Sequence, residues 1–169
     1  MGSHTFAPMS ESGRLWAPWR SAFLRAPRQR RCIFCRAAVR GKDRIHHVVA
    51  RGRRALCLLN RYPYTNGHLL LAPYRHVGTL DVLTAEEWAE LFQMSQDFTR
   101  RLRRTLHPQG FNLGMNLGRS AGAGIPGHLH LHLVPRWTGD TNFMSVMGNA
   151  KVLSQSLEEL YDLLRVNAS

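Results

Sequence analysis

The chain has 169 residues, 44% of them hydrophobic, and a formal net charge of +12. That length supports a single domain with a substantial core, and no apolar run approaches the roughly 18 residues of a membrane span. The charge, nearly all arginine, favours polyanionic partners such as nucleotides, polyphosphates, nucleic acid or acidic membranes, without choosing among them.

Residues 1–13 are small and polar and are expected to be poorly ordered, or to include an appended leader; residues 14–169 are expected to form the domain. Leu15-Trp16-Ala17-Pro18-Trp19-Arg20 carries two tryptophans that are costly to expose, so it is expected to pack on the domain. Arg25, Arg28, Arg30 and Arg31 follow. Such a run can mark a mitochondrial transit peptide, but the neighbouring tryptophans and cysteines argue against one. The three cysteines are an odd number, which argues against a disulfide framework. A cytoplasmic protein is expected.

The middle of the chain reads as strands. Ile45 to Ala50 is short and β-branched. Ala55 to Leu59 has the length of a strand buried on both faces, with Cys57 as a small hydrophobe. Tyr62 to Gly67 has turn chemistry, Asn66-Gly67 being its clearest signal. His68 to Ala72 reads as the next strand, halted by Pro73. Thr84-Ala85-Glu86-Glu87 is a capping box that opens a helix. Trp88, Leu91, Phe92, Ser95, Phe98 and Leu102 are expected to form its buried stripe. Arg100, Arg101, Arg103 and Arg104 complement the negative end of its dipole, and His107 to Gly110 stops it. Phe111 to Leu117 reads as a strand, Gly118 to Gly127 as a loop, Trp137 to Met144 as turns, and Ser154 to Arg165 as a final helix. The fold expected is α+β: an antiparallel sheet with one long helix and one C-terminal helix.

The chemistry is concentrated in Gly127-His128-Leu129-His130-Leu131-His132-Leu133-Val134-Pro135. On an extended strand His128, His130 and His132 would share one face, about 7 Å apart, with the leucines on the other. Three unpaired imidazoles are costly to bury, so a metal, an anion or catalysis is expected to use them. One catalytic metal on all three is disfavoured, because they would span about 13 Å on a flat strand. The loop before them supplies Gly122 and Gly124, where backbone amides can face an anion. A neutral imidazole beside a phosphate can attack phosphorus. Cys32 and Cys35 have zinc-ligand spacing but need two further ligands; a redox pair is the rival, without the βαβ context such pairs have.

His128 to Val134 matches the motif of the histidine triad family. The resemblance runs from Trp16 to Phe143 and includes Cys32-Ile33-Phe34-Cys35, Asn60, Gly67-His68 and Pro73-Tyr74-Arg75-His76. With Trp-Ala-Pro-Trp-Arg and Trp-Thr-Gly-Asp-Thr-Asn-Phe-Met, the chain resembles the branch of diadenosine polyphosphate hydrolases and phosphorylases. The resemblance implies that fold, a homodimer, and nucleotidyl hydrolysis or transfer at an α-phosphate. It implies His130 as nucleophile, His132 at the phosphate and His68 as an orienting residue. Asn60 would meet ribose hydroxyls and Asn116 the phosphates. It also implies a structural zinc held by Cys32, Cys35, His76 and His128. Many members have Gly-Gln-Ser ahead of the triad. Here Ala123-Gly124-Ile125-Pro126-Gly127 stands in a loop one residue longer, with Ser120 the nearest substitute. A nucleoside phosphoramidase is the second enzyme reading. A zinc-stabilised nucleic-acid-binding module, motivated by the arginines, ranks below both; it would bind with a steep salt dependence.

Overall fold

The computed structural model describes residues 32–140 and 153–166. The expectations for residues 1–13, Leu15 to Arg20, the arginines of 25–31 and residues 141–144 lie outside these. The described elements are α1 (Ile33–Ala38), α2 (Asp43–His46), β1 (Val48–Arg51), β2 (Ala55–Leu59), β3 (Leu69–Pro73), a 3₁₀ turn (Leu80–Val82), α3 (Ala85–Leu106), β4 (Gly110–Gly114), β5 (Leu131–Arg136) and α4 (Leu157–Leu164). No helix among them is long and apolar enough to cross a membrane.

The strands form one sheet in the order β1-β2-β3-β5-β4, antiparallel at every pairing. The fold is α+β, as expected. All five residues of β2 are buried, and strand alternation explains how. Ala55, Cys57 and Leu59 point to one face and join Leu69, Leu71, Leu131 and Leu133 under α3 and α4. Leu56 and Leu58 point to the other, with Leu70, Ala72 and Phe34 of α1. Leu70 pairs with His132 in register, which puts His132 on the α1 face.

Several boundaries differ from the sequence reading. Ile45 and His46 belong to α2, which ends at the left-handed His47, so β1 starts only at Val48. β4 stops at Gly114 because its pairing with β5 ends there, opposite His132. α4 starts later than Ser154, at a capping box between Ser156 and Glu159. The Thr84–Glu87 capping box opens α3 as expected. Its stripe is shifted: Phe92 is half exposed, stacked on Trp88 at 5.5 Å, while Met94 takes a core position. Glu87 is buried too, because the Arg75 guanidinium forks onto its carboxylate with two bonds of 2.7 Å. Three of the arginines at the end of α3 are engaged. Arg100 pairs with Asp97, Arg101 donates to the carbonyls of Leu163 and Arg165, and Arg103 lies over the Phe111 ring.

The histidine segment is a strand only from Leu131 onward. Upstream, Leu129 N–H donates to the Val77 carbonyl at 2.7 Å, which draws the segment toward the residues after β3. His128 and His130 therefore do not sit on a flat strand. The His130 and His132 ring centroids are 4.9 Å apart, closer than ideal alternation allows.

Candidate active site

Cys32 caps α1 and Cys35 lies in its first turn, so spacing of i, i+3 puts both sulfurs on one side. His76 follows β3, and His128 precedes β5. Their four ligand atoms lie within 4.8 Å of one another. Cys32 Sγ is 3.3 Å from His128 Nδ1, Cys35 Sγ is 3.2 Å from His76 Nδ1, and the two Nδ1 atoms are 3.2 Å apart. A tetrahedron built on zinc–sulfur and zinc–nitrogen bonds has edges of about 3.3–3.8 Å, so the cage fits such an ion. The ring of His128 is set for it: Nε2–H donates to the Pro73 carbonyl at 2.9 Å, which leaves Nδ1 bare. Burial and the adjacent Cys32 sulfur push the Cys35 thiol up, so a cation is what would let that sulfur ionise. Gly127 keeps the cage open, because a Cβ there would stand 3.2 Å from His76 Nε2.

The hydrogen bonds of the next two histidines fix their tautomers. His130 Nδ1 lies 2.9 Å from the His128 carbonyl, which can only accept. Nδ1 therefore carries the proton and Nε2 carries a lone pair. Burial holds the His130 pKa below its ordinary value, so the ring is neutral. Phe34 packs against both His128 and His130, with ring centroids 4.9 Å from each.

His132 takes the opposite tautomer through a relay. Tyr64 N–H donates to His68 Nδ1 at 3.0 Å, and the Asn60 amide reaches the same nitrogen at 3.2 Å. His68 Nε2 must then carry a proton, which it donates to His132 Nδ1 at 2.9 Å. The remaining proton of neutral His132 sits on Nε2. That atom is buried and has no partner among the described residues, so it is a donor awaiting an acceptor. Burial first, and the neighbouring His130 second, bring the His132 pKa down to about 4. Two adjacent imidazoles thus present a lone pair and an N–H.

The turn before His68 explains its placement. Gly67 has φ +73°, the left-handed region that favours glycine. A Cβ there would come within 2.6 Å of Leu106 Cδ1, so the Asn66-Gly67 turn packs tightly against the end of α3.

A family profile, the HIT domain, matches residues 42–139. The chain belongs to the histidine triad family. An AP-4-A phosphorylase of Mycobacterium tuberculosis is 42% identical over 159 residues, covering 89% of this chain and 82% of that protein. The crystal structure of a Zn-bound histidine triad family protein from Mycobacterium smegmatis superposes with a TM-score of 0.63 at 28% identity, covering 79% of this chain and 90% of that one. A diadenosine triphosphate hydrolase of Plasmodium falciparum, in complex with Cyclomarin A, superposes with a TM-score of 0.56 at 19% identity, covering 69% of each chain; at that identity it shows the fold alone.

Within this histidine triad protein, His68, His130 and His132 come together, and so do Cys32, Cys35, His76 and His128. Asn116 lines a cavity with His132. The Asn60 side chain is bonded inside the protein, to His68 and to Tyr62 N–H. Gly122 N–H donates to the Arg119 carbonyl, so this amide is used within the loop rather than offered to an anion. Gly124 and Ser120 are exposed in the same loop. Tyr64 and Phe34 escaped the sequence reading. The apolar residue inside Cys-x-x-Cys was a usable signal for Phe34; nothing local marks Tyr64.

Proposed function

We propose that this enzyme is a nucleotidyl hydrolase or transferase that cleaves dinucleoside polyphosphates at an α-phosphate. The observation that carries this reading is the opposed pair of tautomers, a bare Nε2 on His130 beside an Nε2–H on His132. His130 Nε2 attacks the α-phosphorus. A P–N bond forms as the P–O bond to the bridging oxygen breaks, and the second nucleotide leaves with the electron pair. His132 Nε2–H donates to a phosphoryl oxygen as charge develops. Water or inorganic phosphate then attacks phosphorus, the P–N bond breaks, and neutral His130 returns. The 42% identity to an AP-4-A phosphorylase supports this substrate class.

Cys32, Cys35, His76 and His128 are read as holding a structural zinc that fastens α1 beside the triad; the cage dimensions and the Zn-bound neighbour support it. A cytoplasmic homodimer is proposed as well. The family resemblance supports the dimer, and three free cysteines are consistent with a reducing compartment.

The test is to mix the protein with diadenosine tetraphosphate, quench rapidly and look by mass spectrometry for a nucleotidyl group on His130. Discharge by added phosphate or by water separates phosphorylase from hydrolase. Turnover of phosphoramidates with none of dinucleoside polyphosphates would replace this reading with the phosphoramidase.

A further inference from the structure

Beyond His132, the α1-side face of β4 and β5 opens into a cavity of about 360 Å³. Small-molecule and cofactor sites typically occupy about 300–1,000 Å³. His132, Val134 and Arg136 alternate onto this face, so Arg136 stands roughly 13 Å along the strand from His132. The cavity has two chemically different ends. At one, Asn116 joins His132, whose Nε2–H has no acceptor among the described residues. At the other, Arg136 and Asn112 meet, with Arg136 Nη1 donating to Asn112 Oδ1 at 2.7 Å. Tyr64 lines the cavity beside His132. Its ring lies parallel to that of His132, at 10° and 5.8 Å, and is half exposed.

The far end is polar but almost neutral in charge. Asp140 forks onto the Arg136 guanidinium, with bonds of 2.6 Å and 2.9 Å. Among the described residues, these bonds and the one to Asn112 use three of the five guanidinium donors, which leaves two N–H groups held in a fixed plane. A charge cancelled by Asp140 is a poor receptor for phosphate. Oriented N–H donors beside an exposed aromatic ring suit a nucleobase and its sugar, which offer a flat π-face and an edge of acceptors.

We propose that this cavity binds the departing nucleoside of a dinucleoside polyphosphate. Tyr64 stacks its base, and Arg136 with Asn112 bonds its polar edge, while the phosphates lie at the His132 and Asn116 end. This inference rests on the nucleotidyl-transfer reading above. It makes the second nucleoside a determinant of specificity.

The test uses a matched pair of substrates. Diadenosine tetraphosphate and adenosine 5′-tetraphosphate present the same α-phosphate, but only the first carries a second nucleoside. The wild-type protein is expected to prefer the first in kcat/KM. Tyr64→Leu and Arg136→Gln are each expected to shrink that preference by on the order of tenfold, mainly through KM of the dinucleotide. Asn112→Ala keeps the Arg136–Asp140 pair and serves if Arg136→Gln melts early; it is expected to shrink the preference in the same direction. A wild type that treats both substrates alike, or variants that lower both in parallel, would overturn the proposal. Such a result would leave the nucleotidyl-His130 adduct intact, whereas failure of the transfer reading removes the adduct itself.

Discussion

His130 donates its Nδ1 proton to the backbone carbonyl of His128 at 2.9 Å. The same His128 puts its own Nδ1 into the Cys32, Cys35 and His76 cage. One residue therefore belongs to both sites, by its ring to the cage and by its peptide to the nucleophile. Phe34, fully buried between the two cysteines in sequence, packs on both rings.

With zinc in the cage, as proposed, emptying it is expected to disturb the nucleophile as well as the fold. Chelation, or Cys35→Ser, should lower Tm and slow formation of the His130 adduct by about 10- to 100-fold, the usual range for losing support around a metal ligand. Stopped-flow adduct kinetics at a temperature where both forms stay folded would measure this. An unchanged rate after complete metal removal would show that the cage acts on stability alone.

The relay makes a separate prediction. His68→Ala removes the donor that fixes His132, so the His132 proton is free to sit on Nδ1 instead of Nε2. Losing one oriented donor to a developing oxyanion costs about 10²–10³ in kcat; with about half of the His132 population still correct the loss is about twofold, and it grows toward that limit as the Nδ1–H tautomer takes over. KM should move much less. A variant that raised KM alone would place His68 in substrate binding and remove it from the relay.

The sheet and the long helix were legible because each has a local cause: short continuous apolar runs of strand length in β2 and β3, and a capping box at Thr84. The second capping box, at Ser156, carries the same signature and was readable. The rest of what escaped was non-local. Phe92 and Met94 lie near opposite edges of the helical stripe, and only the position of the sheet decides which is covered. Glu87 is buried because Arg75, twelve positions upstream, meets it. The bend at His128 follows from the pull of Val77 and the cage, which no spacing within the triad encodes. Tyr64 reaches His132 only once the turn and β5 are side by side.

Acid should weaken the protein in two steps. Burial holds His132 near a pKa of about 4 in the fold, against about 6.5 when unfolded. The unfolded chain binds the extra proton between those values, so stability is full above about pH 6.5 and falls as pH drops toward 4. Glu87 acts lower. The Arg75 guanidinium holds its carboxyl at about 2, so its contribution is present above about pH 4.5 and is lost as pH falls through 2. With Arg75 half exposed, that contribution is on the order of 2 kcal/mol. Urea unfolding of Glu87→Gln beside the wild type should show a reduced difference below pH 4. A difference independent of pH from 7 to 2 would rule out the ionic account.

Gly67 gives the sharpest structural test. Its φ of +73° favours glycine, and a Cβ would meet Leu106 Cδ1 at 2.6 Å and Leu102 Cδ2 at 3.2 Å. Leu102 is fully buried, so the side chains cannot both retreat without opening the core under the turn. Gly67→Ala is expected to cost about 2–3 kcal/mol, the sum of left-handed strain and overpacking. Because His68 follows directly, the turn must also shift the donor that fixes His132. The variant should therefore lose activity at temperatures well below its own Tm, with the loss in kcat. Gly110→Ala is the control, since nothing lies within 4 Å of a Cβ there. Equal stability of the two variants would mean that the turn relaxes freely and that Gly67 does not set His68.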